Sequence, residues 1–111
     1  MNVAWWQWLP IHPWRIVGDV ESADDIPDRL PRNGIALVAS GGALKWIAFD
    51  CPCRTGHRIM LNADKRRVPY WTLRKSTLAT ISPSIDFQGH GRRCHYFVRN
   101  GRIEWTKDSN R

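Results

Sequence analysis

Cysteine is scarce in this 111-residue chain, and its count is odd. Three thiols, Cys51, Cys53 and Cys94, cannot close into a disulfide framework. Only one residue separates Cys51 from Cys53, a loop too tight to bridge well. The cysteines are therefore expected to be reduced, in a cytoplasmic setting. Long apolar runs are also lacking. No stretch approaches the ~20 residues of a bilayer-crossing helix, so no membrane role is expected. Residues 1–14 are Trp-rich but broken by Pro10 and Pro13, without the basic start and continuous apolar stretch of a secretory signal. Acidic side chains are few, 10 against 17 lysines and arginines, for a formal net charge of +7. That balance suits an anionic partner such as nucleic acid or an acidic protein. The basic residues are dispersed, however, with short clusters only at Lys65-Arg66-Arg67 and Arg92-Arg93. Nucleic acid is therefore the second choice of partner. Repeats and low-complexity segments are absent. The length allows one domain, residues 1–111, whose thin core a bound metal would help to stabilise.

Tryptophan is abundant, at seven residues, and it suits half-buried pleated surfaces. The expected fold is mostly β: a small single domain of short antiparallel strands and hairpins around one metal site, with at most a short helix. Residues 1–34 read as an irregular lead-in and residues 35–106 as the core. In the lead-in, residues 1–14 are expected to be extended, with their tryptophans packed on the body of the chain. Ser22 followed by Asp24 and Asp25 offers one helical turn before Pro27. Strands are expected at 35–40 and 43–49 around Gly41-Gly42, then at 57–62, 70–74 and 77–81. A last hairpin, 93–99 with 102–106, closes on Asn100-Gly101, the strongest turn signal in the sequence. With that loop, Tyr96 faces Trp105 and Val98 faces Ile103. Alternation then puts Cys94 on the core side and His95 on the other.

Two constellations carry chemistry. In Cys51-Pro52-Cys53-Arg54-Thr55-Gly56-His57, two thiolates held close by a stiff turn make half of a tetrahedral zinc site. Gly56 lets the chain fold back and bring His57 toward them. Cys94 or His95 would complete the set from the last hairpin, with His90, between Gly89 and Gly91, in reserve. As small apolar core residues the two cysteines would be poorly placed, since they flank a proline in a polar loop. The second constellation is Ile81-Ser82-Pro83-Ser84-Ile85, with both serines on one side of a strand. Read alone it is a strand end whose hydroxyls satisfy nearby backbone. A catalytic role needs a base within hydrogen-bond reach of a serine, and His95 is the obvious candidate.

Taken together, Cys51-Pro52-Cys53 with Gly56-His57, Thr80-Ile81-Ser82-Pro83-Ser84-Ile85, and Cys94-His95 running on to Trp105 resemble the BubE family. The resemblance spans residues 47–105. Such small bacterial and phage proteins accompany operons for a ubiquitin-like protein with its activating and conjugating enzymes. The resemblance implies a peptidase acting on that ubiquitin-like protein, with its activating and conjugating enzymes as further partners. It nominates Ser84 or Ser82 as nucleophile, Ser84 preferred as nearer the loop leading to His95, and His95 as base. It also implies a structural zinc on Cys51, Cys53, His57 and Cys94. The family loop often reads Cys-Pro-Cys-Gly-Cys-Gly; here Arg54 and Thr55 stand in its fourth and fifth places, so the ligand set differs or draws on His57. Asp86 and Glu104 are candidates to orient His95. Two other classes compete: a hydrolase with a catalytic zinc, and a basic zinc-binding module without enzymatic activity that binds nucleic acid or a protein.

Overall fold

The computed structural model describes residues 1–74, 76–89 and 91–110. Within them, two four-stranded sheets are formed in strict sequence order. The first holds β1 (Arg15–Val20), β2 (Gly34–Ser40), β3 (Ala43–Asp50) and β4 (Arg58–Asn62). The second holds β5 (Thr72–Arg74), β6 (Thr80–Gly89), β7 (Arg92–Arg99) and β8 (Arg102–Trp105). The mostly β architecture is as the sequence implies.

Turn chemistry accounts for the two tight hairpins. Gly41 and Gly42 have φ of 58° and 76°, and Asn100 and Gly101 have 49° and 77°. Two successive positive φ values make the turn whose twist matches paired strands. The β7–β8 register follows from it, with Tyr96 opposite Trp105 and Val98 opposite Ile103.

One core serves both sheets. Ile35, Ile47 and Phe49 come from the first, and Ile81, Ile85, Tyr96 and Val98 from the second. Trp14 seals it edge-on to Phe49, with ring centroids 5.4 Å apart. A smaller cluster of Leu30, Ala36 and Ala48 covers the opposite face of the first sheet. Asn62 organises the connection between sheets. Its side-chain amide donates to the carbonyls of Asp64, Arg67 and Pro69, and its own carbonyl accepts from Trp71 N.

Three expectations need correction. Strand β1 lies inside the segment read as irregular, and it pairs with β2 in parallel, so the pairing is not wholly antiparallel. Parallel strands carry no local turn signal, and Gly18 sits beside a register shift that blurs the alternation. Strand β6 does not stop at Ile81 but runs through Pro83 to Gly89. Pro83 is exposed where pairing with β7 shifts register between Ile81 and Ile85, a position that tolerates the missing N–H. Finally, Trp5–Trp8 form a 3-10 turn in place of an extended segment, and Trp5 is 77% exposed. This turn is tied down by the buried Arg15 guanidinium, which donates to the side chain and carbonyl of Gln7 and to Arg32 O. The single turn at Ala23–Asp25 is as expected, with Ser22 Oγ accepting from Asp24 N.

Candidate functional site

Two constellations occupy opposite faces of the second sheet. The inward one begins in the β3–β4 loop. Cys51 N donates to His57 O and Arg54 N to Cys51 O, both at 3.0 Å, so the loop closes on itself. Arg54 and Gly56 supply the positive φ values, 61° and 92°, that fold it back. Strand β7 brings Cys94 to the same place. The ligand atoms of Cys51, Cys53, His57 and Cys94 all lie within 4.8 Å of one another. A tetrahedral ion with Zn–S near 2.3 Å and Zn–N near 2.0 Å needs separations of about 3.5–3.8 Å. Cys53 Sγ stands 3.6 Å from His57 Nε2, which fits. His57 is held from behind by Phe87, its ring stacked at 4.2 Å.

Electrostatics separate the three thiols. Burial pushes Cys51 up to about 12 and Cys94 upward too. Burial also acts on Cys53, but hydrogen bonds from Thr55 and its two fellow cysteines outweigh it and hold that thiol below its usual value. Beside them the Tyr96 hydroxyl is fully buried without a hydrogen-bond partner among the described residues. Its pKa is raised, first by burial and then by Cys51. Three soft sulfurs and an imidazole form a donor set for a metal ion.

The outward constellation is Ser84, His95 and Asp108. Ser84 Oγ lies 3.1 Å from His95 Nε2. His95 Nδ1 lies 3.0 and 3.2 Å from the two carboxylate oxygens of Asp108. The turn after β8 holds Asp108 in place. Thr106 Oγ1 donates to its carboxylate, Thr106 N donates to His95 O, and Ser109 Oγ accepts from His95 N. Hydrogen bonding from Thr106, then from His95, and the charge of Arg93 keep the Asp108 carboxyl below the usual carboxylate range.

The structure brings together Cys51, Cys53, His57 and Cys94, and separately Ser84 and His95. Ser82 is exposed, and its hydroxyl has no hydrogen-bond partner among the described residues. His95 faces Ser84 and not the cysteines; His90 lies outside the described residues. Asp86 stands opposite His95 across β6 and β7, yet its carboxylate takes two hydrogen bonds from Arg93. Glu104 pairs with Arg99. Neither orients His95. Asp108 does, and sequence reasoning missed it; the signal was the polar run Thr106–Asn110 directly after the hairpin, able to turn back on β7.

On this small β protein a serine, a histidine and a carboxylate thus lie in one hydrogen-bonded line, backed by a cysteine–histidine cluster. The family model for the bacterial ubiquitination-like system serine protease (BubE) matches residues 22–106, and the chain belongs to that family. The match extends the resemblance seen in the sequence toward the N-terminus. No curated protein and no solved structure matches the chain. Among the described residues, no helix is long and apolar enough to cross a membrane.

Proposed function

We propose that this chain is a serine peptidase that cleaves a bacterial ubiquitin-like protein at or near its C-terminal tail, with Ser84 as nucleophile and His95 as base. One observation carries the reading: Ser84 Oγ, His95 and the Asp108 carboxylate form a continuous hydrogen-bonded line. An ionised Asp108 can only accept a hydrogen bond, so Nδ1 carries the N–H that it faces and Nε2 keeps its lone pair toward the serine hydroxyl. As Oγ attacks the scissile carbonyl, its proton passes to Nε2. The tetrahedral adduct collapses, the C–N bond breaks, and the amine leaves with that proton. Water then attacks the acyl-serine ester, gives a proton to Nε2, and the serine recovers its own.

The metal in this reading is zinc, and it is structural. Cys51, Cys53, His57 and Cys94 would hold it, pinning the β3–β4 loop to the strand that carries His95. A catalytic zinc keeps a ligand position open, whereas four protein donors, Cys51, Cys53, His57 and Cys94, would fill the shell of a structural one. The basic balance of the chain suits an acidic substrate, and the activating and conjugating enzymes of the same system are further candidate partners.

The test incubates purified protein with a ubiquitin-like protein of such a bacterial system and follows the substrate mass. Ser84→Ala is expected to abolish cleavage, and Ser82→Ala to leave it within about twofold. Cleavage by Ser84→Ala at the wild-type rate, together with a block by chelation, would transfer the chemistry to the metal.

A further inference from the structure

Strand β6 has ten residues and β5 has three, paired only as far as Ser82. From Ser84 to Gly89, therefore, β6 has β7 on one side and no strand on the other among the described residues. The direction of its backbone groups can be read from β7. His95 N donates to Ser109 Oγ at 2.9 Å, and His95 O accepts from Thr106 N at 2.9 Å. Arg93 likewise gives its N–H to Asn110 Oδ1 and its carbonyl to Asn110 N. Both residues turn their backbone away from β6. Their opposite partners are Asp86 and Gln88. In an antiparallel pair, facing residues either both exchange hydrogen bonds or neither does. Asp86 and Gln88 thus point N–H and C=O at the open edge. Ser84, two residues earlier, does the same: its carbonyl accepts from Trp71 Nε1 at 3.2 Å.

Strand β4, the outer strand of the first sheet, presents a second open edge. Asn62 O points outward to Trp71 N at 2.8 Å, so Met60 and Arg58 point the same way by alternation. Between the two edges lies a groove of about 350 Å³, lined by Arg58, Met60, Leu61, Trp71, Asp86 and Phe87. Trp71 closes it beside Ser84. Proteins ordinarily cover or blunt unpaired edges. Here two flank one cleft, and an added extended backbone would satisfy donors and acceptors on both sides. Neighbouring strands lie ~4.8 Å apart, which puts such a backbone within reach of the Ser84 hydroxyl.

We infer that the ubiquitin-like substrate inserts its C-terminal tail as an added strand between β4 and β6, with the scissile bond at the Trp71 end beside Ser84. The inference rests on the peptidase reading above and names its mode of substrate recognition. It is tested by amide hydrogen exchange on the Ser84→Ala protein, with and without a saturating synthetic peptide of that tail. The Met60, Asp86 and Gln88 amides are expected to exchange at least tenfold more slowly with peptide. Unchanged exchange at all three overturns strand addition, whether or not the wild type cleaves. Failure of the wild type to cleave counts against the peptidase reading alone. In parallel, Gln88→Pro removes one edge donor at an exposed edge position, where proline is tolerated. Its kcat/KM is expected to fall about tenfold, the worth of one good hydrogen bond, with the melting temperature little changed. An undiminished kcat/KM overturns the inference.

Discussion

Cys94 and His95 are neighbours in sequence and belong to different constellations on opposite faces of one sheet. Cys94 is fully buried, within 4.8 Å of the ligand atoms of Cys51, Cys53 and His57. His95 points outward, 3.1 Å from Ser84. The alternation of a strand places them so, and the Asn100-Gly101 turn sets the register. One strand thereby carries members of both constellations back to back.

This separation predicts two distinct defects. Cys94→Ser should lower metal content and the melting temperature, by about 10 °C or more, because metal binding free energy is folding free energy. His95→Ala should keep metal content and melting temperature near wild type while abolishing cleavage. Metal analysis and thermal unfolding of both variants, beside the cleavage assay, check the pair.

Asp108 holds the tautomer of His95 in the proposed mechanism. Asp108→Asn keeps the shape but leaves an amide that can donate to Nδ1, which turns Nε2 into a donor facing the serine. Cleavage is expected to drop by roughly 10³–10⁴ in kcat with little change in KM. Asp86→Asn, which loosens Arg93 and reaches Asp108 only through it, should cost far less. Steady-state kinetics of the two variants distinguish these roles.

The hairpins were legible because glycine and asparagine at tight turns have a direct conformational meaning. The cysteine loop was legible because thiols around a proline in a polar segment make poor core. The parallel pairing of β1 was not, since nothing local announces a partner across an irregular connection. Strand β6 was cut short in the sequence reading because proline ordinarily ends a strand, and only the register shift beside Pro83 shows why it does not. Asp108 was hidden for a different reason. Its partner is fixed by a turn outside the hairpin, whose bonds to the His95 backbone no periodicity reveals.

Gly101, in the turn that sets the β7–β8 register, has little room for a side chain. A Cβ there would lie 3.0 Å from Pro13 Cβ and 3.2 Å from Trp14 O, at a φ of +77°. Gly101→Ala is expected to cost about 1–3 kcal/mol from strained backbone and displaced neighbours. Gly41, with φ of +58° and open space around its Cβ position, carries the backbone cost alone, about 1–2 kcal/mol. Urea unfolding of the two alanine variants should rank Gly101 as the more damaging.

Acid should destabilise the fold in a defined window. Hydrogen bonds from Arg66 hold the Asp64 carboxyl below its usual range, Arg93 does so for Asp86, and Thr106 with His95 for Asp108. A carboxyl whose folded pKa is depressed stabilises the fold fully above its unfolded value, near 3.9, and loses that contribution as pH falls toward the folded value. The contribution of these groups to the melting temperature should therefore be flat from pH 5 to 7 and fall below about pH 4. Asp64→Asn should soften the fall, as thermal scans across that range would register.

Metal exchange separates a structural ion from a catalytic one. If Cys51, Cys53, His57 and Cys94 all ligate, they fill a tetrahedral shell, so the ion is expected to act on stability and not on the chemical step. Purified protein is expected to carry about one zinc per chain. Cobalt in its place should give the intense near-ultraviolet absorption of thiolate-to-metal charge transfer, with kcat within about twofold of the zinc form. Chelation should lower the melting temperature, and cleavage should decline in step with loss of the folded fraction as temperature rises. Tetrahedral sulfur sites bind metal through deprotonated thiols, so chelation should also become easier as pH falls. A large change in kcat on replacing zinc with cobalt, at unchanged stability, would instead assign the metal to the reaction.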